Sequence, residues 1–209
     1  DGKPMTDQQL RDEVLTMLLA GYETSALTMV WAFYALSQQP ELQDRIAAEV
    51  RETAGDRPLR YADLQQLKTT ENVIIETLRL YPAAWAIGRE AKADCRIGDY
   101  EVPAGTTIYM SSWAVHRNPA YFEDPKAFKP DRWTPELRKS LPRFAYFPFG
   151  GGPRICIGNR FAMMEAMLLA ATICRRFRIE QHSTKPLVPF PTLTLRPASA
   201  VTVRLRKRA

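Results

Sequence analysis

The stretch Phe149-Gly150-Gly151-Gly152-Pro153-Arg154-Ile155-Cys156-Ile157-Gly158 carries the densest chemical signal in this 209-residue chain. One cysteine follows three consecutive glycines and precedes a segment of helical character. Glycines let backbone amides come close to a neighbouring atom and adopt conformations closed to other residues. A helix beginning just after Cys156 directs its positive end toward the sulfur, which favours the thiolate that a metal requires. Arg154 suits an anionic carboxylate on a cofactor, and Phe149 can shield the sulfur from water. Each feature alone has a plainer reading. A glycine-rich loop ahead of a helix more often holds phosphate, and a lone cysteine more often packs as a small hydrophobe. Cys95 and Cys174 lack this company and are assigned that packing role.

Upstream of the loop the chain reads mostly as helix. Thr6 and Gln9 have the form of a capping box, after which Leu10, Val14, Leu18 and Gly21 recur at helical spacing until Gln38-Gln39-Pro40. A second helix starts at Pro40, carries Leu42, Ile46 and Val50 on one face and ends near Gly55. A short helical turn spans Tyr61 to Leu67, and a further helix runs from about Thr70 to Tyr81, closed by Pro82. Arg96–Val102 and Thr106–Met110 read as strands joined at the turn Pro103-Ala104-Gly105. Asn118 to Pro148 is a proline-punctuated stretch without period, longer than compact domains usually tolerate. A last helix from about Asn159 to Phe177 leads to a tail with strand-like alternation at Leu193, Leu195, Val201, Val203 and Leu205, a hairpin-like end. The expected class is mainly α with minor β.

The run Phe149 to Gly158 closely resembles the haem-binding loop of the cytochrome P450 family, Phe-x-x-Gly-x-Arg-x-Cys-x-Gly, with every specified position matched. The resemblance implies that Cys156 is the axial thiolate ligand of haem b, releasing electron density that favours O–O cleavage. Phe149, Gly150, Arg154 and Gly158 would line the cofactor. Glu76-Thr77-Leu78-Arg79 is similar to the family's Glu-x-x-Arg helix, whose pair shares one helical face. Phe128-Lys129-Pro130-Asp131-Arg132-Trp133 supplies the matching third member, Arg132. The resemblance implies a structural ion network of Glu76, Arg79 and Arg132 behind the haem.

Ala20-Gly21-Tyr22-Glu23-Thr24 looks like the family's oxygen-binding groove. There, small residues let the helix pass over the haem face and a threonine hydroxyl opens the helix. By resemblance Thr24 would hydrogen-bond dioxygen, and Glu23 would belong to the relay delivering protons. A mid-helix glycine costs about 1 kcal/mol relative to alanine, and a packing contact at Gly21 is the plainer account. Ala83-Ala84-Trp85-Ala86-Ile87 resembles a segment lining the substrate pocket, and Arg89 beyond it would join Arg154 on the two propionates. For His116 an ordinary polar role is expected. The resemblance covers residues 1–209 as the haem-binding, C-terminal half of the P450 fold. Members usually carry a comparable length upstream of the oxygen-activating helix, so this chain is expected to be a piece of such a domain.

These readings imply a monooxygenase that takes O2 and an apolar small molecule. The sequence has no Gly-x-Gly-x-x-Gly dinucleotide unit, so electrons would come from a ferredoxin or a flavodoxin-like reductase. Arg138, Lys139 and Arg160 flank the cysteine loop as a basic docking face for such an acidic partner. Rival readings are a haem-thiolate isomerase, dehydratase or peroxygenase, a non-catalytic haem sensor, and a folded but inactive remnant. The acid–threonine pair Glu23-Thr24 argues against the isomerase and the sensor, which have no need of it. The net charge of +6 is spread without basic–aromatic stripes, which argues against nucleic-acid binding. Three irregularly spaced cysteines and two histidines exclude a disulfide framework and a zinc cluster. No apolar run is expected to span a bilayer. The opening Asp1–Thr6 has neither signal-peptide layout nor initiator methionine. A reducing, cytoplasmic setting is the expectation, and an anchor upstream would be invisible in this sequence.

Overall fold

The computed structural model describes residues 4–182 and 186–208. Helix α1 (Asp7–Ser37) starts at Thr6, whose hydroxyl accepts from the Gln9 amide while the Gln9 side chain accepts from the Thr6 amide, a reciprocal capping box. Pro40 sits in the first turn of α2 (Pro40–Ala54), where its missing N–H costs nothing, and Gly55 at φ +54° closes that helix. A 3-10 turn at Tyr61–Gln66 leads into α3 (Lys68–Leu80). The C-terminal part of α1 with α2, α3 and α6 (Asn159–Arg176) builds the main core around Leu36, Ile46, Val50, Ile74, Ala170 and Cys174. Burial pushes the Cys174 thiol up to about 12, so it serves as the inert hydrophobe expected of it. Cys95, by contrast, is exposed on a hairpin strand and fills no core position.

Among the described residues, eight short strands form four antiparallel pairs. β1 (Ile87–Glu90) pairs with β4 (Thr107–Met110), and β2 (Cys95–Ile97) with β3 (Tyr100–Val102). The expected link at Pro103–Gly105 therefore does not make a hairpin of its flanking strands. The tight turn falls instead at Gly98, whose φ of +57° is open to glycine at no steric cost. The last helix ends at Arg176, and Phe177 opens β5 (Phe177–Gln181), which pairs with β8 (Val203–Lys207). The alternating tail does not pair with itself as expected: Leu195 lies in β7 (Leu195–Pro197), which pairs with β6 (Pro189–Pro191), whereas Val203 and Leu205 lie in β8. Helix α4 (Ser112–Val115) precedes the long aperiodic stretch, which contains a 3-10 turn at Pro130–Arg132 and α5 (Pro135–Ser140).

The helix expected from Leu10, Val14, Leu18 and Gly21 forms as α1, and one expectation for it, that no apolar run could span a bilayer, is corrected. Leu10, Val14 and Leu18 are exposed in this chain, and the helix enters the core only from Thr28 onward. The helix is also long and apolar enough to cross a membrane by length and composition. Thr16, Glu23 and Thr24 interrupt the apolar run locally, although the helix is apolar on average. Its C-terminal part is nonetheless a packed core element: Trp31 is fully buried, stacks on Tyr81 at 4.2 Å and donates its indole N–H to the Leu195 carbonyl at 3.0 Å.

Gln43 in α2 ties three elements together inside the core. Its amide nitrogen donates to the carbonyls of Leu36 (2.7 Å) and Ile179 (2.9 Å), and its oxygen accepts from the Ile179 amide at 2.8 Å. Gln43→Leu strands these backbone groups without water, and a loss of about 3 kcal/mol in urea-induced unfolding is the expected result.

Candidate haem-thiolate site

Glu76 and Arg79 lie one turn apart on α3 with both side chains fully buried. Arg79 grips Glu76 with a fork: Nε donates to Oε2 and Nη2 to Oε1, each at 2.8 Å. Arg132 adds its Nε to Oε1 at 3.0 Å, the Trp133 indole donates to Oε2 at 2.9 Å, and the Lys129 amide donates to Oε1 at 2.9 Å. The carboxylate thus has five donors, three of them from the segment Lys129–Trp133. The arginines spend their remaining donors on the same stretch of chain. Arg79 reaches the carbonyls of His116, Pro125 and Ala127, and Arg132 those of Glu123, Asp124 and Ala127. An aperiodic loop acquires one conformation because its carbonyls converge on two guanidinium planes.

The cysteine loop lies beyond this network. Gly150 and Gly152 have φ of +74° and +71°, a left-handed conformation that side chains resist. A Cβ at Gly151 would come within 2.5 Å of the Phe144 ring. The loop closes where the Cys156 amide donates to the Phe149 carbonyl at 3.0 Å, with the Phe149 ring half-buried against the main core. Helix α6 begins at Asn159 with Gly158 as its cap and no side-chain cap; the Asn159 amide donates to the Cys156 carbonyl at 3.4 Å, which sets the exposed Cys156 at the positive end of the helix. Arg154 stands exposed on a 3-10 turn, without a hydrogen-bond or ion-pair partner among the described residues. Arg89 is exposed on β1 and, among the described residues, meets only the neighbouring Gly88 carbonyl, at 2.7 Å. A sulfur donor on an open face and two cations free of carboxylates match the needs of an iron porphyrin with two propionates.

On α1, Ala20 and Gly21 are exposed, and a Cβ at Gly21 would meet nothing within 4 Å. A packing contact within the described residues therefore does not account for the glycine, and a flat group has room there. The helix is continuous from Asp7 to Ser37; the Thr24 hydroxyl donates to the Ala20 carbonyl at 2.7 Å without breaking it. The expected local opening is absent because the hydroxyl adds a bond beside the ladder. Glu23 accepts from the Thr194 hydroxyl at 3.1 Å and forms an ion pair with Arg196. Sequence reasoning missed these partners, since nothing local ties α1 to residues some 170 positions away. The Ala83–Trp85 segment joins the same corner: the Leu195 amide donates to the Ala83 carbonyl, and the Trp85 indole to Thr192.

Beside the cysteine loop is an open concavity of about 610 Å³. Tyr61, Lys68, Phe149, Ile155, Arg160 and Met163 are among the residues lining it. Arg138 is less free than expected. It donates to Asn72 at 2.8 Å and lies 3.9 Å from Glu71, so Lys139 and Arg160 contribute more of the open positive charge.

The sequence model described as Cytochrome P450 matches residues 1–203. The chain belongs to the cytochrome P450 family. It is 41% identical over 194 residues to cyclooctatin synthase of Streptomyces melanosporofaciens, covering 93% of this chain and 42% of that protein. It is 42% identical over 178 residues to cyclooctat-9-en-7-ol 5-monooxygenase of the same organism, covering 85% of this chain and 39% of that protein. Cytochrome P450 4V2 of Mus musculus is 36% identical over 211 residues, covering all of this chain and 40% of that protein. A crystal structure of a cytochrome P450, CYP102L1, superposes with a TM-score of 0.91 at 32% identity, over 100% of this chain and 48% of that one. The chain thus spans about two-fifths of the length of the curated relatives it matches.

Removing the Glu76 carboxylate leaves two buried guanidinium groups uncompensated. Glu76→Ala should cost about 3–5 kcal/mol in denaturant unfolding. Arg79→Lys should also be strongly destabilising, since one ammonium cannot replace a planar fork engaged at all three nitrogens.

Proposed function

We propose that this chain is the haem-binding, C-terminal portion of a P450 monooxygenase. The reaction inserts one oxygen atom of O2 into an apolar small molecule by hydroxylation or epoxidation. The observation that carries this reading is Cys156, exposed on a glycine-shaped loop at the start of α6 with no side chain competing for its sulfur among the described residues. Haem bound there supplies the oxygen-activating chemistry. Cys156 would hold its iron, and Arg89 and Arg154 would neutralise its propionates. Phe149 anchors the loop to the core and limits water at the sulfur.

On the opposite side, Ala20 and Gly21 leave room beneath α1, and Thr24 presents a hydroxyl able to exchange its Ala20 carbonyl for a substrate-side acceptor. Glu23 and the Thr194 hydroxyl already form a hydrogen-bonded pair, a short path for protons once the Arg196 contact is released. Trp85 and the exposed Leu193 provide apolar surface for the substrate. That two relatives carry cyclooctatin and cyclooctat-9-en-7-ol in their names supports a bulky hydrophobic substrate. Electrons would arrive at the concavity beside the cysteine loop, where Lys68 and Arg160 favour an acidic ferredoxin or flavodoxin-like domain.

The reading is tested in protein of the relatives' length, with an electron donor and O2. Thr24→Ala should preserve haem binding and oxygen consumption while lowering product formed per O2 about a hundredfold, the scale of lost proton delivery. Unchanged coupling would remove Thr24 from the reaction. Arg160→Glu should slow reduction by an acidic partner, most visibly at low ionic strength; an unaltered rate would move the docking face elsewhere.

A further inference from the structure

The buried imidazole of His116 lies between the Glu76–Arg79 network and the start of the cysteine loop. It is fully buried. Its Nε2 lies 2.9 Å from the Phe147 amide nitrogen, and its Nδ1 lies 3.2 Å from the Arg79 carbonyl oxygen. The amide can only donate, so Nε2 is the acceptor and the ring proton sits on Nδ1, where it donates to Arg79. Arg79 returns the connection, its Nη1 donating to the His116 carbonyl at 2.8 Å. On the loop side the Phe147 carbonyl accepts from the Gly150 amide at 3.0 Å, and the Phe149 carbonyl accepts from the Cys156 amide at 3.0 Å. A run of short contacts therefore leads from the carboxylate of Glu76 through His116 to the backbone that presents Cys156.

We propose that His116 is a positioning residue that, as a neutral imidazole, clamps the cysteine loop to the Glu76–Arg79 helix through the Phe147 amide. Both ring nitrogens are used, one as donor and one as acceptor, so no charged form of the ring satisfies the site. Its surroundings agree. Arg79 and Arg117 are the charged groups nearby, the Tyr146 and Phe147 rings pack against it at 5.1 and 5.3 Å, and burial depresses its pKa from the ordinary 6.5 to about 3. The sign follows from linkage. Above pH 6.5 neither the folded nor the unfolded chain protonates this ring. Between 6.5 and about 3 only the unfolded chain does, so stability falls as pH drops, by up to about tenfold in the folding constant per pH unit.

The consequence for function rests on Cys156 being the iron ligand; the clamp itself does not. The test is amide hydrogen exchange on the full chain without haem. His116→Phe should speed exchange at Phe147 about tenfold, the scale of one net hydrogen bond, with Ile179 in the distant core unaffected. His116→Gln, whose side-chain oxygen can accept from Phe147, should restore much of the protection and flatten the stability profile between pH 6.5 and 3. Equal exchange in wild type and His116→Phe overturns the proposal, as does a uniform rise across the core. Should His116→Phe fail to fold, nitrogen NMR of the wild-type ring decides: a protonated Nε2 at neutral pH contradicts the clamp. Intact protection of Phe147 in a protein lacking any thiolate spectrum would sink the ligand reading and leave the clamp standing.

Discussion

The fully buried carboxylate of Glu76 is the constraint on which the rest of this structure depends. A buried charge without partners costs several kcal/mol, and here the partners come from two places in the chain. Arg79 is one turn away on the same helix, while Lys129, Arg132 and Trp133 lie more than fifty residues downstream. The carboxylate cannot be satisfied until the long aperiodic segment has folded back onto α3. Once that has happened, the free donors of both arginines fix the carbonyls from Glu123 to Ala127. A region with almost no regular hydrogen-bond ladder thereby becomes a rigid platform for the cysteine loop.

The loop itself is shaped by what glycine permits. Two of its glycines occupy left-handed backbone, and the third allows the Phe144 ring to approach where any side chain would collide. The sulfur is set before a helix without a side-chain cap, where the helix dipole favours a negative charge. The α1 helix contributes from the other end. Its C-terminal half is bolted into the core by Trp31 and Leu36, while the segment with Ala20, Gly21, Glu23 and Thr24 projects beyond it. Rigid support and an open working surface belong to the same helix.

Much of this was legible in the sequence, and the division has physical causes. The capping box at Thr6, the proline starts and the glycine stops act within a few residues, so they can be read locally. The loop from Phe149 to Gly158 and the Glu76–Arg79 spacing were legible because the chemistry needs particular residue types at fixed intervals. Strand pairing was not: β4 returns to β1 and β8 to β5, choices made by long-range packing that alternation does not encode. The same holds for Glu23, whose partners Thr194 and Arg196 are brought to it only by the final turn, and for His116, whose two ring nitrogens gain meaning from Arg79 and Phe147. The apolar length of α1 was missed because polar residues divide a helix that is apolar on average.

The proposed function turns on Cys156 holding haem iron as a thiolate. Its most direct test is the visible spectrum of the haem-loaded protein, reduced and under carbon monoxide, measured beside Cys156→Ser. A strongly red-shifted Soret band that disappears in the serine variant is the expected result. The same unshifted band in both proteins would contradict it.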